Sequence, residues 1–78
     1  MVKRRFAVVI GWDGEDEVWV TYVPALGNLS TYGASREEAL ANTREAILGY
    51  FEAAAKEGLP LPDGQVQAEV VEVEVATA

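Results

Sequence analysis

The side chains able to do chemistry in this 78-residue chain are mostly carboxylates. Thirteen Asp and Glu stand against six Lys and Arg, and His and Cys are both absent. Four of the acids, Asp13, Glu15, Asp16 and Glu17, crowd around Gly14. Oxygen ligands at that density could hold a hard cation. The spacing is not that of an EF-hand, however, and a short run of like charge beside Asp-Gly reads as a solvated turn. Glu69, Glu72 and Glu74 form a second acidic set and read as the solvent side of a strand, where they discourage edge pairing. A glycosidase-type acid/base pair needs two carboxylates facing across a pocket, and one helix on a small sheet leaves little room for that. Without His or Cys there is no thiolate or imidazole zinc site, no Ser-His-Asp triad and no Cys nucleophile. The glycines are scattered as turn and cap residues and make no phosphate-cradling loop. The residues therefore predict no catalytic site, no metal and no cofactor.

Charge and aromatics point to binding instead. A net charge of -7 repels phosphates, so direct nucleic-acid contact is not expected, and a basic protein is the complementary partner. Lys3, Arg4 and Arg5 make the one basic cluster and read as a solvated lead-in to the first strand. Trp12, Trp19, Tyr22 and Tyr32 either fill core and shield sheet edges or anchor a protein interface, where Trp and Tyr are enriched. Stacking of single-stranded RNA on them is opposed by the net charge. No apolar run approaches the ~20 residues of a membrane span, and the start is too short for a signal-peptide core. With Cys absent, the expected compartment is the cytoplasm.

The elements that must position these residues follow from periodicity. Residues 6–11 read as a strand, with Phe6, Val8 and Ile10 on one face and Ala7 and Val9 on the other. The turn at residues 13–16 leads into a second strand over 17–23, rich in β-branched and aromatic residues. It alternates Val18, Val20 and Tyr22 against Trp19, Thr21 and Val23. Pro24 ends it, Gly27-Asn28 turns the chain, and residues 30–33 can return as a third strand. Ser35-Arg36-Glu37-Glu38 is a capping box opening a helix that runs to about Glu57. Its apolar stripe is Ala39, Leu40, Thr43, Ala46, Ile47, Tyr50, Phe51 and Ala54. Gly58 is the expected left-handed cap, with Pro60 and Pro62 beyond it. Residues 65–75 read as a last strand whose alternation slips. Val66, Ala68 and Val70 share one parity, and Val71, Val73 and Val75 the other. Either a β-bulge near Val70-Val71 brings them to one face, or the strand is apolar on each face in turn, one half meeting a partner.

One domain, residues 1–78, accommodates all of this. The expected class is α+β: a two-layer β-β-β-α-β arrangement with a four-stranded mixed sheet, order 3-2-1-4, and one helix on one face. The last strand would return beside the first by a right-handed crossover. A single helix leaves the other sheet face uncovered, and such a patch marks an interface. A chain this small hides only about 60–65% of its unfolded surface. With disulfides and metals excluded, oligomerisation is the expected support. Val71, Val73 and Val75 are expected to contact a second subunit, or to lie over the chain's own sheet if the bulge forms.

Two blocks resemble a known family. Phe6-Ala7-Val8-Val9-Ile10, an acidic turn, and then Val20-Thr21-Tyr22-Val23-Pro24-Ala25-Leu26 resemble the opening of the HicB-like antitoxin domain. Gly33-Ala34-Ser35-Arg36-Glu37-Glu38-Ala39-Leu40-Ala41-Asn42, followed by Glu45-Ala46-Ile47, resembles its helix start. The likeness covers about residues 5 to 62. It implies a reduced ribonuclease-H-like fold of β-β-β-α-β form without ribonuclease activity, since Phe6, Val8 and Ile10 stand where such enzymes need carboxylates. It also implies a module that covers a small basic messenger-RNA-cleaving toxin. The chain departs from the family pattern at Pro24-Ala25-Leu26-Gly27-Asn28-Leu29, where only Pro24 and Leu26 match the usual loop. It also ends soon after the last expected strand, so the operator-binding module of many family members is not implied.

Two functions follow as expectations. One is a non-catalytic antitoxin-type module that sequesters a basic toxin, with Trp12, Trp19, Tyr22, Tyr32, Val71, Val73 and Val75 as candidate partner-binding residues. The alternative is a stand-alone homodimer or higher homo-oligomer of unassigned role.

Overall fold

The computed structural model describes residues 4–61 and 68–77. Three strands, β1 (Val9–Asp13), β2 (Val18–Val23) and β3 (Leu29–Gly33), precede one helix, α1 (Arg36–Glu57). The strands form an antiparallel meander in the order β1-β2-β3. Val9 stands opposite Tyr22, Trp12 opposite Trp19, Val20 opposite Tyr32 and Thr21 opposite Thr31.

Local chemistry explains each junction. In the first turn the Asp13 Oδ1 accepts the backbone N–H groups of Glu15 (3.0 Å) and Asp16 (3.2 Å), so a side chain satisfies donors that no ladder can reach. Glu17 closes that turn in the left-handed region at φ 55°. After β2, Pro24–Leu26 forms a single 3-10 turn. Gly27 and Asn28 follow it, both left-handed, and the Asn28 N–H donates to the Val23 carbonyl (3.1 Å). Ser35 caps α1, its Oγ accepting the Glu38 N–H at 3.0 Å, with Glu37 and Glu38 favourably placed in the positive first turn. At the other end Gly58 is left-handed at φ 67°, and Leu59 and Gly58 donate to the carbonyls of Ala54 and Ala55. These are the paired bonds of a Schellman stop.

The core is thin. Val23 and Ala39 are fully buried and Leu26 and Ala54 nearly so, joined by two buried threonines, Thr21 and Thr43. The helix approaches β3 closely at Gly33, where a Cβ would lie 2.5 Å from the Ala39 nitrogen and 2.9 Å from the Glu38 carbonyl carbon. Only glycine fits there. Among the described residues no helix is long and apolar enough to cross a membrane.

The structure corrects the four-stranded mixed sheet of order 3-2-1-4. Residues 68–77 form no strand, and the sheet is a three-stranded antiparallel one. The expected bulge at Val70-Val71 goes with it, while residues 65–67 of that expected strand, including Val66, lie outside the described residues. Alternation makes a segment compatible with a strand, but a ladder partner holds it there. Residues 68–77 meet none among the described residues. There the expected β-β-β-α-β order becomes β-β-β-α. The first strand is also displaced, pairing from Val9 to Asp13 rather than over residues 6–11. Within α1 the expected stripe holds at Ala39, Thr43 and Ala54, whereas Tyr50 is exposed.

Candidate protein interface

The two sheet faces differ in what covers them. Opposed residues of an antiparallel pair share a face, and neighbours along a strand alternate. Thr21, Val23 and Thr31 turn toward α1, because the Thr21 and Thr31 hydroxyls bond that of Thr43 on the helix (2.6 and 2.8 Å). The other parity therefore makes the open face: Val9 and Gly11 on β1, Val18, Val20 and Tyr22 on β2, Ser30 and Tyr32 on β3. Tyr22 and Tyr32 are exposed, Tyr32 by 68%. At one end of this face a hollow of about 300 Å³ has Val18, Val20 and Tyr32 for its apolar lining and Asp13 and Asp16 at its rim. An aliphatic stem ending in a cation suits such a hollow: the stem meets valine and the charge meets carboxylate and tyrosine ring.

A second concave surface lies on the helix side. The segment leading into β1 runs under α1, with the Phe6 and Phe51 rings 5.5 Å apart and the Arg4 guanidinium 5.7 Å from the centre of the Phe51 ring. Phe6 and Val8 face Leu40, Ile47, Leu48 and Phe51 across a cleft of about 520 Å³, with Arg4 and Arg44 among its lining. Leu48 is exposed.

The expected contact residues do not form one patch. Tyr22 and Tyr32 lie on the open face. Trp12 and Trp19 stand opposite each other on the helix-side parity, rings 5.6 Å apart in an edge arrangement, with Trp12 exposed and Trp19 half-buried. Val71, Val73 and Val75 are exposed on the segment after the helix. The cleft under α1 went unforeseen, although Leu48 lies one residue off the apolar stripe and widens it toward the β1 side. The threonine cluster also went unforeseen, since a hydroxyl inside an apolar stripe carries no pattern of its own. In the acidic turn the Asp13 Oδ1 is already engaged by two backbone donors. Among the described residues no group of three or more acidic side chains converges as metal ligands would.

No protein-family profile matches the chain, and no solved structure matches it. A UPF0150 protein of Thermoplasma acidophilum is 40% identical over 58 residues, which is 74% of this chain and 83% of that relative. That span is long enough to hold the whole meander and helix, and with this identity over most of both proteins the chain belongs to the UPF0150 family.

Proposed function

We propose that the chain is a non-catalytic protein-binding module of the HicB-like antitoxin type, which acts in the cytoplasm by covering a small basic RNA-cleaving protein. The observation that carries this reading is the open sheet face. Val9, Val18, Val20, Tyr22 and Tyr32 lie on the parity that α1 does not cover, and the acidic turn borders them. An apolar surface rimmed by one sign of charge suits a partner of the opposite sign: aromatic anchors supply affinity, while charge steers the encounter. The net charge of -7 and the sequence resemblance to HicB-like domains support the same partner. Blockage is steric, so the reading needs no nucleophile or base from this chain.

The test is co-expression with the product of an adjacent small basic reading frame. The expected result is a stable complex and relief of that protein's toxicity, both lost in Tyr32→Glu. A basic neighbour that fails to co-purify and stays toxic overturns the reading.

A further inference from the structure

Leu48 is the most exposed large apolar side chain of α1, at 57%. At about 100° of turn per residue, Ala41, Arg44, Glu52 and Ala55 fall within about 40° of it around the helix axis, and all four are exposed. Together they make a stripe about 21 Å long. The stripe is symmetric in position about Leu48 and opposite in charge. Arg44 lies four residues before Leu48 and Glu52 four after it, while Ala41 lies seven before and Ala55 seven after. A helix pairs charges at i±3 and i±4, and around Arg44 those positions hold Leu40, Ala41, Ile47 and Leu48. Its own helix therefore offers this guanidinium no carboxylate. Leu40, Arg44 and Leu48 also form part of the helix bank of the cleft above Phe6 and Val8, so the stripe runs beside further apolar surface.

We infer that α1 pairs antiparallel with α1 of a second copy about a two-fold axis at Leu48, so that Arg44 of each copy meets Glu52 of the other. In a two-fold contact residue i meets j and j meets i, so a stripe pairs with itself only when its two ends complement each other. Antiparallel packing brings each residue before Leu48 level with the residue equally far beyond Leu48 in the second copy. Leu48 then meets Leu48, the Arg44–Glu52 pair forms twice, and the alanines at each end meet those at the other. Parallel packing in register would instead set arginine beside arginine and glutamate beside glutamate. Alanine at both ends lets the axes approach to the about 8–10 Å of packed helices. Charge identifies the occupant. At a net charge of -7 two copies repel each other over most of their surface, whereas this stripe carries one charge of each sign, placed to be matched by its own copy. Glu45 and Lys56 lie about 60° and about 80° round from Leu48, at the rim of the contact. The open sheet face takes no part, so the pairing is independent of any basic partner bound there.

Light scattering on the full chain at micromolar concentration, with no other protein present, tests the inference. The expected mass is that of two 8.4 kDa chains. Arg44→Glu and Glu52→Arg each put like charges together at both symmetry-related contacts and should each weaken the dimer about tenfold or more. Mixed in equal amounts, these two variants should pair with each other, because the acidic stripe of one then meets the basic stripe of the other. The chain carrying both substitutions should self-associate as the wild type does, and Leu48→Glu should be monomeric. All three positions are exposed, so helical circular dichroism should be unchanged throughout, which separates loss of pairing from loss of fold. A monomeric wild-type chain overturns the inference. So does a dimer that survives Arg44→Glu, a mixture of the two single variants that stays monomeric, or a dimer lost in Tyr32→Glu but kept in Leu48→Glu.

Discussion

The hydroxyl of Thr43, in the middle of α1, lies 2.6 Å from that of Thr21 on the central strand. Thr31 completes a triangle, 2.7 Å from Thr21 and 2.8 Å from Thr43. Carbonyls close the set: that of Ala39 stands within reach of Thr43 (2.8 Å) and Thr31 (3.3 Å), and that of Thr31 within 3.4 Å of Thr21. Three hydroxyls hold three protons, so the six contacts are shared among three donations at any moment. Helix and sheet are thus joined at a polar point inside a core with few large side chains.

Removing one hydroxyl from that triangle leaves its neighbours buried with fewer partners. Thr43→Val is expected to lower unfolding free energy by about 1–3 kcal/mol, the cost of an unsatisfied buried polar group. Thr21→Val should cost a similar amount. In the double variant both members of the closest pair are gone, so its loss should be smaller than the sum of the singles. Urea denaturation of the four proteins measures this coupling. Strict additivity would show that the pair does not act as a unit.

Gly33 is held by sterics. The Cβ of Gly33→Ala would meet backbone atoms of Glu38 and Ala39, which cannot rotate away as a side-chain tip can. The helix start must shift instead, at about 1–3 kcal/mol of overpacking. A melting temperature unchanged in this variant would contradict the close approach of β3 and α1.

Glu17 offers the opposite sign. It is a non-glycine residue at φ 55°, and the left-handed region costs an L-residue about 1–2 kcal/mol. Glu17→Gly removes that strain at some cost in unfolded-state entropy. The net expectation is a gain of a few tenths to about 1 kcal/mol, read as a higher urea midpoint with an unchanged slope. A lower midpoint would show that the side chain supplies more than the backbone loses.

Much of this architecture was legible in the sequence because it is local. Ser35, Gly58, Pro24 and the Gly27-Asn28 turn each act on backbone groups within a few residues, and α1 spans residues 36–57 as its caps require. The last strand was misread because its fate depends on a distant partner. Val71, Val73 and Val75 alternate as a strand should, but alternation does not say which edge, or whose, receives it. The candidate interface divides in the same way. The parity of Tyr22 against Thr21 is legible in the alternation, but which face α1 covers is settled by the contacts of Thr43 with Thr21 and Thr31, and the cleft between Phe6 and Phe51 depends on how the lead-in to β1 crosses the helix, which no periodicity records.

Tyr32 separates binding from folding. Its ring is exposed on the open face and lines the hollow that Asp13 and Asp16 border, so Tyr32→Ala removes no core contact and should change stability by no more than about 0.5 kcal/mol. If the basic partner anchors there, the same substitution removes a central aromatic and should weaken binding by about 2 kcal/mol or more, roughly thirtyfold. Asp16→Asn lies at the rim, where charge acts mainly on the rate of encounter. It should slow association and flatten its dependence on ionic strength while changing dissociation little. Surface-coupled kinetics with the co-expressed basic protein measures both rates. A Tyr32→Ala variant that binds as the wild type does, while Val73→Asp does not, would move the partner from the open face to the segment after the helix.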